Sequence, residues 1–514
     1  MALWDGETET LYLACDRLRV YPLFYYQDQE KLVFASRMKG IVNCPYQTEL
    51  SVNHTSVIDM VTNSFIPTPK TIFREIQKLP PGFLLRYRHG EIRLESYWDI
   101  SFLDQSHKSE KSQAAVLRSM VAESVSLRMG AEVPSKEIGT FLSGGVDSTT
   151  VLGVMTQLSK EQVNCFTIGF SEEKYNEIEY ARIAARAFEA NHYEYFVSPN
   201  DVSEIIPALI ESFDEPFGNA SSIPTYFCAK LAKECGVKEL YAGDGGDELF
   251  AGNERYRKQR IFEGYHRIPL WLRRVLEPLI FSLAGQGAGG FFCKVRNYIR
   301  RATIPYPDRL FSYNIFEEVP KGSLFDQNFL ELVGKDYDPF DVYREHYVSA
   351  PARTELEKQL YMDLKLTIAD NDLFKVIRMT ECAGVKVQFP FLDYRLAEFA
   401  ATVPARTKMR GKKLRSFFKR AYAETLPSSI QTKQKHGFGL PIPIWLRTDR
   451  RLNEMMHDLL LSPTSIQRGY FQKKTLERSI HEHQSDPTGF YGTLLWNLMM
   501  LETWNRMQIS EISS

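Results

Sequence analysis

The chain has 514 residues, a formal net charge of −1 and 25% charged residues, a length that normally buries a large core and divides into two or more domains. The balanced charge gives no electrostatic reason to expect a nucleic-acid partner. The seven scattered cysteines show no metal-ligand spacing, and there is neither a signal peptide nor a long apolar run. We therefore predict a cytoplasmic protein with reduced thiols and no membrane span.

The first hundred residues predict a β-rich layer. Apolar and polar residues alternate at 11–14, 23–26, 32–35 and 83–87, a pattern that turns one face of each strand toward a core. A short helix is expected near residues 57–64, and a polar stretch at 104–112 leads to a predicted helix at 114–128. We therefore divide the chain into an N-terminal region, residues 1–104, and a main region, residues 105–514.

The first chemical motif is SGGVDS at residues 143–148, between an apolar run at 138–142 and a helical pattern at 149–158. Glycines let the backbone approach a phosphate chain, and the N–H groups that open a helix supply donors and a positive dipole end. It is not a Walker A loop, because the sequence lacks GxxxxGK[ST] here. The pattern favours another kind of phosphate-binding loop.

A second motif, GDGGDE at residues 243–248, also follows a short apolar run. It crowds three carboxylates into a tight turn, which is unfavourable unless cations or hydrogen-bond donors neutralise them. Mg²⁺ suits such a site, because it takes few carboxylates and completes its shell with phosphate oxygens and water. Asp147 and Asp247 are therefore a candidate Mg²⁺ pair contributed by two different loops.

The order of elements predicts an α/β fold. Apolar runs at 165–170, 192–197 and 237–242 alternate with helical patterns at 181–190, 202–213 and 225–235, the βαβ order of a parallel sheet. Ligands bind at the carboxyl ends of such strands, where both motifs fall. From residue 256 onward the pattern is mostly helical.

Residues 255–301 contain eleven basic residues interleaved with Phe, Trp, Leu and Ile. A basic amphipathic stretch of this kind lies on a membrane surface or grips an acidic partner in some proteins. In most it forms a helical subdomain with a solvated basic face, and this is the interpretation that the sequence favours.

The motifs resemble those of the asparagine synthetases and their relatives, the β-lactam and carbapenam synthetases. Further matches follow the family's order, at residues 14–26, 79–82 (LPPG), 97–99 (YWD), 214–217 (DEPF), 390–393 (PFLD) and 435–441 (KHGFGLP). The resemblance implies a parallel-sheet ATP-pyrophosphatase domain of the adenine nucleotide α-hydrolase type with a helical C-terminal part. It also implies that a partial, β-rich glutaminase domain of the Ntn type precedes it.

The resemblance assigns roles to individual residues. Leu142 and Ile168 would flank the adenine of the nucleotide, and Ala242 and Gly243 would contact the nucleotide through backbone atoms. Those that would cradle its phosphates are Ser143, Gly144, Gly145 and Ser148. Asp147 and Asp247 match the Mg²⁺ ligands, Asp244 matches an acid needed for acyl-adenylate formation, and Lys435 matches a lysine that neutralises departing pyrophosphate. Further cations that could line an anionic pocket are Lys375, Arg378, Lys412, Lys413 and Arg415.

The N-terminal region departs from the family. The family's glutaminase nucleophile is a cysteine exposed as the first residue after Met removal, whereas Ala2 follows Met1 here and residues 2–5 resemble a later FALWD strand. Cys15 is no substitute, because it falls within a predicted strand. We therefore expect no intrinsic glutaminase activity, and free ammonia or a separate glutaminase as the nitrogen source. A β-layer cut in half also exposes an edge, so we expect the N-terminal region either to fold poorly or to lean on the main region.

The implied reaction joins ammonia to a carboxylate. The carboxylate attacks the α-phosphate of ATP to give an acyl-adenylate and pyrophosphate, and ammonia then displaces AMP; the expected acceptor is aspartate and the product asparagine. The stretch beside the presumed acceptor pocket departs from the family at Ile377, Lys386 and Gln388. Two alternatives therefore stay open: an enzyme that amidates another carboxylate, such as a sugar acid or secondary metabolite, and a nucleotide-binding pseudoenzyme.

Overall fold

A computed structural model describes residues 1–45, 49–130, 135–285, 289–433 and 439–509. The N-terminal region forms two antiparallel sheets. One has the strand order β1-β2-β6-β7, made of Ala2–Asp5, Thr10–Ala14, Phe83–Arg88 and Glu91–Ser96. The other has the order β4-β3-β5, made of Leu32–Ala35, Phe24–Gln27 and Ile76–Lys78, and helices α1 (Met38–Val42) and α2 (His54–Asn63) connect its strands.

The predicted α/β part is confirmed as a parallel five-stranded sheet in the order β10-β9-β8-β11-β12. Its strands, in chain order from β8, are Ile138–Phe141, Asn164–Gly169, Asn191–Phe196, Glu239–Tyr241 and Lys386–Gln388. Helices α3 to α8, from before β8 to just after β11, are Glu110–Met129, Val146–Leu158, Ile178–Ala187, Pro199–Phe213, Ser222–Glu234 and Gly246–Phe250. Every observed pairing within this sheet is parallel.

The rest of the chain is mostly helical, as predicted. Helices α9 to α16 are Glu254–His266, Leu270–Gly285, Gly289–Ala302, Lys321–Leu324, Gln327–Val333, Asp341–Ser349, Glu355–Met362 and Leu373–Cys382. Helices α17 to α25 are Tyr394–Thr402, Ala405–Lys408, Ser416–Ala421, Ser428–Thr432, Ile442–Thr448, Arg450–Leu461, Pro463–Gln467, Lys473–His483 and Phe490–Trp504. Within the described ranges, no helix is both long enough and apolar enough to cross a bilayer.

The N-terminal region shares its largest hydrophobic cluster with the C-terminal helix α25. Phe24, Val57 and Phe73 are buried in the same cluster as Trp504, and the rings of Phe73 and Trp504 lie 5.8 Å apart. The four-stranded sheet β1-β2-β6-β7 contributes only a small cluster of its own. The N-terminal region therefore leans on the main region, as expected for a half-layer.

A π-helical segment, Asp363–Asp372, joins α15 to α16 and concentrates buried charge. Arg19 of the N-terminal region is buried and forms an ion pair with Asp370. Thr68 donates to the same carboxylate from its backbone N–H at 2.8 Å and its hydroxyl at 2.6 Å. The N-terminal region is thus attached to the main region by buried electrostatic contacts as well as by apolar packing.

The sequence predicted that Cys15 lies inside a strand, and this prediction is wrong by one residue. Strand β2 ends at Ala14, which forms the last pair of its ladder with Leu84 of β6. The Cys15 backbone N–H still donates to the Phe83 carbonyl at 3.1 Å. The thiol is buried all the same.

Breaking the Arg19–Asp370 ion pair should lower the free energy of unfolding by a large amount. Arg19→Gly relieves a left-handed backbone (φ 61°) but leaves the Asp370 carboxylate buried without its cation, so the free energy of unfolding should fall by about 2–4 kcal/mol. The double variant Arg19→Gly/Asp370→Asn should recover part of this loss. Urea unfolding measures both.

Arg93→Ala is the matched control for this experiment. Arg93 pairs with Glu91 at 3.9 Å while both side chains are mostly exposed, so the loss should be no more than about 1 kcal/mol. Equal losses in Arg19→Gly and Arg93→Ala would contradict the stabilising role of the buried pair.

Glu248, at the start of α8, should make the stability of the folded protein depend on pH. Burial raises its pKa to about 8, with Asp372 and Asp363 adding to the rise. Between its ordinary pKa near 4.5 and about 8, the folded protein keeps a proton that the unfolded chain releases, so stability falls as pH rises. Glu248→Gln should therefore gain stability over the wild type as pH increases through this range.

Urea unfolding at several pH values measures this difference. Glu161→Gln alters an exposed glutamate and should follow the wild-type pH curve. A pH-independent difference between Glu248→Gln and the wild type would contradict a neutral buried Glu248.

Candidate active site

The two motif loops leave neighbouring parallel strands at the same edge of the sheet. Strand β11 pairs with β8, with Tyr241 opposite Thr140, and Leu142 and Ala242 follow these strands directly. The Leu142 N–H donates to the Phe166 carbonyl at 2.8 Å, so Ile168, at the end of β9, belongs to the same edge. The residues predicted to contact the nucleotide are therefore brought to one edge, and Leu142, Ile168 and Ala242 are buried.

The SGGVDS loop forms a tight cradle at the N-terminus of α4. Gly144 has φ +65°, and a Cβ atom there would lie 2.5 Å from the Ala181 backbone nitrogen, so only glycine fits. The hydroxyls of Ser143 and Ser148 lie 3.1 Å apart, and Ser143 Oγ accepts a hydrogen bond from the Gly145 N–H at 3.3 Å. Hydroxyls and helix N–H groups converge in an arrangement suited to an anion.

The GDGGDE loop packs directly against this cradle. A Cβ atom on Gly243 would lie 2.9 Å from the Ser148 nitrogen, and one on Gly246 would lie 2.5 Å from Asp147 Cγ. Glycine at these two positions lets the loops touch. This close approach brings the carboxylates of Asp147 and Asp247, 100 residues apart in sequence, against a common cation.

That cation is the Arg415 guanidinium. It donates to Asp147 through both terminal nitrogens, one of them at 2.5 Å, and its Nε donates to Asp247 at 2.8 Å. Arg415 precedes α19 with φ 53°, and its N–H donates to the Ala251 carbonyl at 3.1 Å. Sequence reasoning named Arg415 only as a possible pocket cation and gave no sign that it would join these two aspartates.

The position of the Arg415 guanidinium bears on whether the Asp147 and Asp247 carboxylates could hold a metal ion. Two close carboxylates require positive charge between them, and here Arg415 supplies it. The described ranges contain no cluster of three or more His, Cys, Asp or Glu side chains that could hold a metal. A pair of carboxylates nevertheless fits Mg²⁺, whose remaining ligands are phosphate oxygens and water.

Lys433 is a site cation that sequence reasoning missed. Its Nζ donates to the Gly144 carbonyl at 3.3 Å and the Ser143 carbonyl at 3.4 Å, and pairs with Glu177 at 3.0 Å. Burial lowers the pKa of this lysine, while Glu177 opposes the shift. Its position two residues before the KHGFGLP motif was the available signal. Lys435 itself lies outside the described residues.

Lys375, on α16, is a buried cation that interacts electrostatically with the GDGGDE loop. It donates to Asp372 at 3.1 Å. Burial works against its positive charge, but Asp372, Asp244 and Glu248 together raise its pKa. Asp244, the predicted acid of the GDGGDE loop, thus favours the charged form of Lys375.

The altered acceptor stretch has partners of its own. Arg378 is buried, pairs with Glu381 at 2.9 Å and donates to the Ser36 carbonyl of the N-terminal region at 3.4 Å. Asn219 donates to Asn371 at 2.8 Å. The Asn219–Asn371 hydrogen bond joins two parts of the main region, and the Arg378–Ser36 hydrogen bond joins the main region to the N-terminal region.

Cys15 has none of the properties of a nucleophile. Its side chain is 1% exposed, and burial raises the pKa of the thiol to about 12. A catalytic cysteine needs an accessible group with a lowered pKa. The structure thus agrees with the expectation that Cys15 does not replace the family's nucleophile.

Comparison with known proteins supports this architecture. The family model described as asparagine synthase matches residues 116–506, and the one described as a glutamine amidotransferase domain matches residues 1–98. The chain is 25% identical over 515 residues to asparagine synthetase [glutamine-hydrolyzing] 1 of Bacillus subtilis, covering 99% of this chain and 77% of the relative.

Two other relatives extend the comparison. A putative asparagine synthetase [glutamine-hydrolyzing] 2 of Methanocaldococcus jannaschii is 29% identical over 329 residues, 63% of this chain and 62% of the relative. Amidase chry2 of Gibberella zeae is 24% identical over 452 residues, 79% of this chain and 63% of the relative. With the asparagine synthase model covering most of its length and the two motif loops meeting at one sheet edge, the chain belongs to the asparagine synthase family.

Proposed function

We propose that this protein forms amides at the expense of ATP, adenylating the side-chain carboxylate of aspartate and transferring ammonia to give asparagine, AMP and pyrophosphate. The observation that carries the proposal is the meeting of Asp147 and Asp247 around one cation beside the SGGVDS cradle. Adenylation needs a place for pyrophosphate and its counter-charges, and this edge of the sheet offers one.

The nucleotide would lie along the sheet edge. In this proposal Leu142 and Ile168 flank the adenine, and Ala242 and Gly243 contact the nucleotide through backbone atoms. The phosphates rest on the N-terminus of α4, held by Ser143, Gly144, Gly145 and Ser148. The Ala242 N–H already donates to the Gln388 carbonyl at 2.9 Å, which leaves the Ala242 carbonyl as the group that can contact the nucleotide.

Counter-charge for pyrophosphate would come from several sources. Asp147 and Asp247 would hold Mg²⁺, which when bound neutralises phosphate oxygens. Arg415, displaced from between the two carboxylates, would then face the same phosphates. Lys433 contacts the SGGVDS loop and precedes Lys435 by two residues in the sequence. Fixed cations at the place where negative charge develops are an effective form of electrostatic catalysis.

Asp244 and Lys375 would act on the acceptor side. One acceptor oxygen forms the new bond to the α-phosphorus while the bond to pyrophosphate breaks; ammonia then attacks the acyl carbon and AMP leaves with the bonding pair. Asp244 and Asp372 favour the charged form of Lys375, and this cation would orient the incoming carboxylate. Asp244 takes the role of the acid needed for acyl-adenylate formation.

The nitrogen source in this proposal is free ammonia or a partner glutaminase. The buried Cys15 thiol supports this, although the asparagine synthetases that the chain resembles are named glutamine-hydrolyzing. A second candidate acceptor, a carboxylate other than aspartate, is favoured by Ile377, Lys386 and Gln388 and by the presence of amidases among the relatives.

The proposed function predicts which nitrogen donor supports turnover. Purified protein with Mg-ATP and aspartate should release pyrophosphate and form asparagine with ammonium but not with glutamine, identified by mass. Asparagine formed from glutamine would contradict the absence of glutaminase activity. Measurable ATP binding without aspartate turnover would favour the second acceptor.

Replacing either aspartate of the Asp147–Asp247 pair and replacing Arg415 should have opposite effects on metal binding. Without nucleotide, Asp147→Asn and Asp247→Asn should weaken Mn²⁺ binding at least about tenfold, because two carboxylates supply most of the protein's ligands. Arg415→Gln should strengthen it, because the guanidinium no longer competes for the pair. Electron paramagnetic resonance of free Mn²⁺ measures the three constants.

Asp244→Asn is the matched control, since it removes a carboxylate from the same loop without touching the pair. It should bind Mn²⁺ like the wild type. Weaker binding in Arg415→Gln than in the wild type would contradict competition between the arginine and the metal ion.

A further inference from the structure

Helix α10, Leu270–Gly285, exposes its apolar side chains to solvent. Trp271, Val275 and Leu279 recur every fourth residue, so they share one face of the helix, and they are 68%, 57% and 57% exposed. Leu276 and Leu283 flank this stripe and are also exposed. A helix on the surface of a globular domain normally turns such a stripe toward a core.

The inner face of α10 is already occupied by α9 and α11. Its Ile280 packs against a small cluster of Phe262, Tyr265, Ile299 and Ala302. Its Arg273 lies 5.0 Å from the Tyr265 ring centre, and Tyr265 donates to Glu277. The apolar stripe is therefore on the opposite side, and the Phe291 side chain of α11, 71% exposed, adds to the exposed apolar surface.

The two helices that carry these exposed apolar residues are rich in positive charge. Residues 267–301 contain seven basic residues and one acidic residue, and the acidic one, Glu277, is engaged by Tyr265. Four of the basic side chains are exposed: Arg267, Arg274, Lys294 and Arg300. This charge is local, since the whole chain has a net charge of −1.

We propose that the α10–α11 hairpin binds the surface of an anionic lipid bilayer. Trp271, Val275, Leu279 and Phe291 enter the boundary between headgroups and acyl chains, and the exposed arginines and lysine pair with lipid phosphates. An apolar stripe bordered by Lys and Arg is the combination that holds helices in the plane of a membrane. At 16 residues, α10 is shorter than the roughly 20 residues of a spanning helix, so it lies on the bilayer.

The charge distribution favours lipid over a second copy of the chain. A two-fold contact places the same patch of each subunit against the other, and this would bring two sets of basic side chains together without acidic partners. An anionic bilayer instead supplies negative charge beside an apolar phase. The sequence had favoured a solvated basic face for this stretch; exposure of its apolar side chains is what changes the interpretation.

Co-sedimentation with vesicles tests the proposal on the full chain. The wild type should bind vesicles of phosphatidylcholine with about a third phosphatidylserine at least tenfold more tightly than vesicles of phosphatidylcholine alone, and raised salt should weaken binding. Trp271→Ser/Val275→Ser/Leu279→Ser should lose at least tenfold in binding, and so should Arg267→Gln/Arg274→Gln/Lys294→Gln/Arg300→Gln.

Leu332→Ser/Val348→Ser is the matched control, because these two apolar side chains are exposed elsewhere in the main region, at 66% and 76%. It should bind vesicles like the wild type. Circular dichroism confirms folding of each variant, and the charge variant keeps the test valid if the stripe variant misfolds. Equal binding to both kinds of vesicle, or none, would overturn the proposal.

Light scattering after size exclusion separates lipid binding from self-association. The stripe variant should have the same mass as the wild type. A wild-type dimer that becomes a monomer in the stripe variant, without vesicle binding, would assign this face to a second copy and overturn the lipid proposal. None of these measurements depends on turnover, so they stand apart from the proposed amide synthesis.

Discussion

Neutralising buried charge is the constraint on which this structure depends, and the π-helical segment Asp363–Asp372 takes part in several of the ion pairs that achieve it. Asp363 pairs with Arg255 at 3.0 Å, Lys365 with Asp99 at 2.7 Å, and Asp370 with Arg19. Each partner comes from a different part of the chain. Because an unpaired buried charge is very unfavourable, these pairs fix the N-terminal region against the main region and hold α16 at the site.

The candidate site meets the same constraint with basic side chains. Arg415 lies between Asp147 and Asp247, Lys433 contacts the SGGVDS loop, and Asp244 and Asp372 favour the charged form of Lys375. Under the proposed function these cations face the position where pyrophosphate charge would appear. Preorganised charge of this kind needs little rearrangement at the moment of reaction.

The N-terminal region has a structural role separate from glutamine hydrolysis. It contributes to the largest hydrophobic cluster together with α25, and Ser36 accepts a hydrogen bond from Arg378 of the altered acceptor stretch. Its Cys15 is buried. The N-terminal region is therefore packed into the main region, and Arg19 is accommodated there because it has a buried partner, Asp370.

The sequence by itself determined the fold class and located the two motif loops, because short motifs and apolar periodicity are local properties. That Asp147 and Asp247 together hold Mg²⁺ stays a prediction, and their meeting at Arg415 was decided by the tertiary structure. The sequence placed the helix at 114–128, although α3 begins at Glu110 with Ser109 as its cap, since caps depend on single hydrogen bonds. Only the tertiary structure decided that Arg415 and Lys433 reach those loops, across more than 160 residues. Only burial, a property of the packed chain, revealed that the stripe of α10 faces solvent.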